Sequence, residues 1–157
     1  MVEGCVNFRE VERFSTRDGG RLRAGRLFRS GAYHEVTASG IEQVRALGPQ
    51  LVYDLRSRAE RTRMPTRLDT LGGLNLRPEP HDITLGSPLR ALREAGTTPE
   101  QGRAAMRNMY GILPFGFAPV LQDFMHRAAE TQGLTIVHCQ IGKDRIVLSG
   151  LWTSVCI

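Results

Sequence analysis

An α/β domain built on a mostly parallel central sheet flanked by helices is the fold class this sequence predicts. Three observations predict it. Short apolar runs with strand character recur along the chain, the last being Leu134-Thr135-Ile136-Val137-His138. Segments with helix start and stop chemistry lie between those runs. The last run passes through Cys139 into a loop holding Gly142, and the chain from Asp144 onward reads as a helix.

Residues 1–25 read as irregular, with turn chemistry at Asp18-Gly19-Gly20. Residues 27–29 form a short strand candidate. Thr37 can cap a helix that runs to Leu47 and stops at Gly48-Pro49. Residues 51–54 read as the next strand, which places Asp54 at its carboxyl end, where ligands gather in open α/β sheets. Residues 57–63 form a short helix stopped ahead of Met64-Pro65. Residues 74–76 are a further strand candidate. Residues 78–98 are rich in proline and glycine and read as a loop, with a helical turn near 89–94. A long loop in a compact domain serves as a lid or binding element. Pro99 can open a helix to Tyr110, and Pro114 another to Thr131. Residues 134–138 are the last strand.

The chain has 157 residues, a length that suits one domain, and 41% hydrophobic residues, enough for a core. No apolar stretch is long enough to span a bilayer. The start, Met1-Val2-Glu3-Gly4-Cys5-Val6, has neither a basic opening nor an apolar signal core. Three scattered cysteines, Cys5, Cys139 and Cys156, make no disulfide framework or metal site. A cytoplasmic location is the expectation, with export lacking a signal peptide left open. The net charge is +5, carried by arginine, and Lys143 is the only lysine. Such an excess draws polyanionic substrates. No aromatic-interleaved basic patch points to nucleic acid.

The loop carries the chemistry. Backbone N–H groups of a loop that opens a helix point inward with positive partial charge, and a phosphate dianion fits such a nest. Gln140, Ile141, Gly142, Lys143, Asp144 and Arg145 form the expected phosphate-binding set. Gly142 permits the sharp reversal and the close approach. Arg145 offers a planar fork for two phosphate oxygens. Cys139 sits where those dipoles and that guanidinium favour its thiolate, so it is the expected nucleophile and needs no dedicated base. His138 is expected to order the loop by hydrogen bonding. Lys143 can pair with a second phosphate or an acidic head group.

His138-Cys139, five residues, then Arg145 resembles the loop of the cysteine-dependent protein tyrosine phosphatases. The Gly142-Lys143-Asp144-Arg145 ending is similar to the atypical bacterial members that also accept phosphoserine, phosphothreonine or phosphoinositides. Upstream blocks fit the same family: Asn7-Phe8-Arg9-Glu10-Val11; Asp18-Gly19-Gly20 with Gly25-Arg26-Leu27-Phe28-Arg29-Ser30-Gly31; Asp54-Leu55-Arg56-Ser57 with Glu60-Arg61; and, more weakly, Met109-Tyr110. The resemblance runs from about residue 7 to Arg145. It implies a tyrosine-phosphatase-like fold, hydrolysis of phosphotyrosine and related monoesters through a phosphocysteine, and no cofactor. The implied partner is a phosphorylated protein or a phosphoinositide.

A leaving alkoxide or phenolate needs a proton. Asp144 in the loop, Asp54 at the end of a strand and Asp82 in the long loop are the candidates. The resemblance favours Asp144, and Asp54 stands second. A helix-dipole role for Asp144 remains equally open. Arg56 can bind substrate charge, but an ion pair with Glu60 four residues on is the expected use.

The sequence departs from the family in two places. The family continues Arg-Thr-Gly, whereas Ile146-Val147 follows Arg145 here. The family's hydroxyl helps the sulfur leave, and isoleucine has no donor. Glu12-Arg13 stands where the family has two glycines. Relatives also continue with further helices after the loop, so the expectation is a single phosphatase-like domain over 1–157 that is C-terminally incomplete, with one face of the sheet uncovered. Two alternatives to the phosphatase stay in view. One is an inactive phosphate-binding pseudophosphatase, and the other a rhodanese-type sulfurtransferase, which the upstream blocks disfavour.

Overall fold

A computed structural model describes residues 1–11, 19–72, 75–78 and 97–146. They form a five-stranded sheet in the order β1-β2-β5-β3-β4. The strands are β1 (Arg9–Glu10), β2 (Leu27–Ser30), β3 (Pro49–Asp54), β4 (Leu76–Pro78) and β5 (Leu134–His138). β1 runs antiparallel to β2, and the other neighbours are parallel. The mostly parallel α/β architecture is therefore as the sequence predicts.

The helices follow their caps. α1 (Ala38–Leu47) opens at Thr37, whose Oγ1 accepts from Gly40 N at 3.0 Å, and closes at Gly48, φ +62°. α2 (Arg58–Arg63) opens at Ser57 in a capping box with Glu60. α3 (Pro99–Gly116) opens at Thr98, again in a capping box. α4 (Ala118–Glu130) completes the set, and a 3₁₀ turn covers Leu68–Leu71.

Several elements differ from the expectation, β2 running on to Ser30 and β3 starting at Pro49 among them. β1 was not expected; two residues in a region of mixed charge carry no period. β4 starts at Leu76 rather than 74. The break between α3 and α4 falls at Phe117, not ahead of Pro114. Pro114 sits in the last turn of α3, and Pro119 lies in the first turn of α4, where its missing N–H has no partner to lose. The helical turn expected at 89–94 and Asp82 lie outside the described residues.

Alternation along β3 and β5 splits the core in two. Tyr53, Leu55, Val137 and Cys139 face Met109, Leu113, Phe117, Leu121 and Phe124 of the α3–α4 side. Val52 and Ile136 face Val36, Ile41, Val44 and Leu68 on the α1 side. Tyr53 Oη also bonds Asp123 Oδ2 at 2.9 Å, which ties α4 to β3. Neither face of the two central strands is bare, contrary to the expected uncovered face: Leu51, Val52, Ile136 and Val137 are each 1% exposed or less. No helix among the described residues is long and apolar enough to cross a membrane.

Candidate active site

β5 is the central strand, and its carboxyl end releases the loop 139–145 between Ser30 of β2 and Asp54 of β3. Cys139 follows directly and is buried, 4% exposed. Gly142 N–H donates to Cys139 Sγ at 3.2 Å, so the loop folds back over its own sulfur. Gly142 has φ +77°, and a Cβ there would lie 2.5 Å from the Ser30 carbonyl carbon. No side chain fits that seat, which answers why glycine stands there.

Three successive carbonyls of the loop are engaged from outside. Ala32 N–H donates to Gln140 O at 3.1 Å. Asn7 Nδ2 donates to Ile141 O at 2.8 Å, and Arg29 Nη2 to Gly142 O at 2.8 Å. Gln140 Nε2 contacts Met64 Sδ at 3.4 Å. Ile141 and Lys143 point outward and are exposed.

Arg145 is buried, and its guanidinium lies 5.7 Å from the Phe117 ring centroid. Nη1 donates to Glu60 Oε2 at 2.8 Å and to Leu55 O at 3.2 Å, while Nη2 donates to Glu60 Oε1 at 3.0 Å. A guanidinium has five N–H groups. The edge formed by Nε–H and the second N–H of Nη2 is what remains, and Nε has no hydrogen-bond partner among the described residues. Burial works to raise the Glu60 carboxyl, but Arg145 and the Ser57 cap outweigh it and hold Glu60 below the usual carboxylate range.

This corrects the expected Arg56–Glu60 pair. Arg56 precedes the helix, so spacing of four does not bring it alongside Glu60. Its Nε and Nη2 instead bond Asp54 at 2.8–3.1 Å, its backbone N–H bonds Asp54 Oδ1 at 2.9 Å, and Nη1 donates to Met64 O at 2.6 Å. Magnitude decides the choice. A surface pair at i,i+4 is worth about 0.3–0.5 kcal/mol, whereas stranding a buried charge costs about 3–5 kcal/mol, and Arg56 is fully buried.

His138 is 2% exposed and lies 3.7 Å from Asp54 Oδ2, with Tyr33 edge-on at 5.1 Å between centroids. Burial, helped by Arg56 and opposed by Asp54, pushes the imidazole below its ordinary value, so it is neutral at pH 7. Burial acts to raise Asp54; attraction to His138, which needs a charged imidazole, and the hydrogen bonds and charge of Arg56 act the other way and hold the carboxyl down. With His138 neutral, Arg56 is the cation that keeps Asp54 ionised.

Asp144 is half-buried at the start of the helical turn 144–146. The Tyr110 hydroxyl of α3 donates a very short hydrogen bond to its Oδ1. That bond, then burial, pushes the Tyr110 phenol up to about 12, so it remains a donor.

The structure thus brings Cys139, Gly142, Asp144, Arg145 and His138 to one end of the sheet, with Asp54 and Arg56 beside them. Sequence reasoning missed Glu60 as the partner of Arg145, and Asn7, Arg29 and Phe117 as supports. The Ser57-x-x-Glu60 capping signature was readable, but nothing in it reports the second use of Glu60.

A model described as the tyrosine phosphatase family matches residues 1–151. A provisionally named tyrosine-protein phosphatase of Cupriavidus necator is 30% identical over 149 residues, or 92% of this chain and 52% of that protein. The chain therefore spans about half the length of the curated relative it matches. A match that starts at the first residue and runs past a loop folded around its own cysteine leaves one assignment: the chain belongs to the tyrosine phosphatase family.

Proposed function

We propose that this chain hydrolyses phosphate monoesters, phosphotyrosine foremost, through a phosphocysteine. The observation that carries the reading is the Gly142 N–H aimed at Cys139 Sγ at 3.2 Å. That contact folds the loop around the sulfur, which as nucleophile would attack a phosphorus seated among the loop's inward N–H groups. In the first step the Sγ–P bond forms and the ester P–O bond breaks. Asp144 gives its proton to the departing oxygen. In the second step water attacks phosphorus, the S–P bond breaks, and Asp144 takes the water proton as inorganic phosphate forms.

The free edge of Arg145 would bind two non-bridging oxygens side-on, while Glu60 and Leu55 O hold the other three N–H groups. Two of the candidate acids compare simply. Asp54 is committed to Arg56 and held ionised, so it has no proton to give. Asp144 has one oxygen bonded to Tyr110 and the other available for substrate. His138 and Arg56 act as supports beneath the loop. The exposed Lys143 suits a second phosphate, as on a phosphoinositide, or acidic residues around a phosphorylated side chain.

Release of phosphate from an aryl phosphate, in the presence of chelator, tests this. Cys139→Ser should lower turnover by several orders of magnitude. Asp144→Asn should lower it about 10²–10⁴-fold for alkyl phosphates and far less for activated aryl esters. Persistent activity in Cys139→Ser would overturn the mechanism. No turnover with retained binding of orthovanadate would favour a phosphate-binding pseudophosphatase.

A further inference from the structure

Three successive carbonyls of the loop, those of Gln140, Ile141 and Gly142, accept hydrogen bonds from donors outside it. A trans peptide is planar, so each C=O points away from the next N–H. Fixing these carbonyls outward turns the N–H groups of Ile141, Gly142 and Lys143 inward. The middle one is seen doing so at the Cys139 sulfur. One of the three anchors is backbone, from Ala32. The other two are side chains, separated from their carbonyls by 134 residues for Asn7 and 113 for Arg29.

The Asn7 side chain and the Arg29 backbone are themselves held. Asn7 has φ +56°, a conformation uncommon outside glycine, which asparagine tolerates best. The preceding carbonyl, Val6 O, accepts from Gly31 N at 2.8 Å, and Arg9 Nη1 donates to Asn7 Oδ1 at 3.3 Å. Those bonds leave Nδ2 facing the loop. Arg29 is in register with Val137 in the β2–β5 ladder, so its backbone is fixed to the strand that carries the cysteine. A cation on the Gly142 carbonyl also polarises that peptide and strengthens the Lys143 N–H as a donor.

We infer that Asn7 and Arg29 are positioning residues for the phosphate cradle. They act on the bound phosphoryl group through the Ile141 and Gly142 peptides without touching it. The inference rests on the phosphatase reading above and extends it to residues at the far end of the chain.

The test compares Asn7→Ala, Asn7→Asp, Arg29→Met and Arg29→Lys with the unaltered protein. The readouts are the dissociation constant for orthovanadate, kcat/KM on aryl phosphates with good and poor leaving groups, and melting temperature. Asn7→Ala and Arg29→Met should each weaken orthovanadate binding roughly tenfold, the effect of losing one hydrogen bond. Asn7→Asp should do at least as much, because a carboxylate of the same shape would face a carbonyl oxygen. Arg29→Lys should recover most of the loss. The loss in kcat/KM should be equal for good and poor leaving groups, since the cradle grips the non-bridging oxygens. Variants that fold with unaltered orthovanadate affinity and kcat/KM would overturn the inference. Should the Ala or Met variant fail to fold, Asn7→Asp and amide exchange decide. In the unaltered protein, orthovanadate must slow exchange at Ile141, Gly142 and Lys143, and no protection there overturns it. If the unaltered protein neither binds orthovanadate nor hydrolyses any ester, the phosphatase reading itself falls.

Discussion

Ile146 follows Arg145 and is 2% exposed, packed in the cluster with Tyr53, Leu55, Phe117 and Val137. It offers no hydroxyl to the sulfur of a phosphocysteine. The expected consequence is a fast first step and a slow second one. Rapid mixing with an aryl phosphate should show a burst of phenol followed by slower turnover. Ile146→Thr should speed the slow phase about tenfold, as one added hydrogen bond to a charged leaving sulfur would. It should also lower stability by about 1–3 kcal/mol, the cost of a hydroxyl in an apolar site. Equal rates for both steps in the unaltered protein would refute this. At this scale the sequence was legible wherever a residue's role is local. Cys139 and Gly142 stand where the strand ends and the loop reverses. Arg56 and Glu60 were misread because their partners depend on the direction a strand end takes as it leaves the sheet. Asp54 and Arg56 are only two apart, yet they meet only because the chain turns there.

At the scale of elements, α2 is a single short helix with two duties. Ser57 Oγ accepts from Glu60 N at 3.3 Å, and Glu60 Oε2 accepts from Ser57 N at 2.8 Å and from Arg145 Nη1 at 2.8 Å. The cap therefore also aims the guanidinium. Ser57→Ala should cost about 1 kcal/mol of stability, as caps do. It should also reduce kcat/KM, with a larger effect than an Ala at Thr37, whose side chain caps α1 through Gly40 N. Equal kinetic effects of Ser57→Ala and Thr37→Ala would show that the cap does not reach the site. Capped helices and long apolar strands were readable because their signals are contiguous. β1 was not, since its strand character comes from pairing with β2 and not from its own two residues. Pro114 misled because proline can close a helix as well as open one.

For the whole molecule, acid is the expected weakness. Buried His138 refuses a proton that the unfolded chain takes up near the ordinary value of 6.5, so stability present above that pH declines below it. Asp54 and Glu60 add a second loss. The unfolded carboxyls bind protons near 3.8 and 4.5, while the folded ones hold out to lower pH. Melting temperature should therefore fall from pH 7 to 5 and again below 4.5. A flat profile from pH 7 to 5 would show that His138 is not held neutral by the fold.

β5 lies between β2 and β3, which end 104 and 80 residues ahead of it, and it carries the cysteine on its end. Until Leu134–His138 has been synthesised, β2 and β3 have no shared neighbour and the middle of the sheet is a gap. Assembly is thus dominated by late, distant pairings, which close slowly against chain entropy. The nascent chain must keep two strand edges apart and unpaired until residues 134–138 have been made. The same order ensures that the thiol gains its cradle in the very event that completes the sheet.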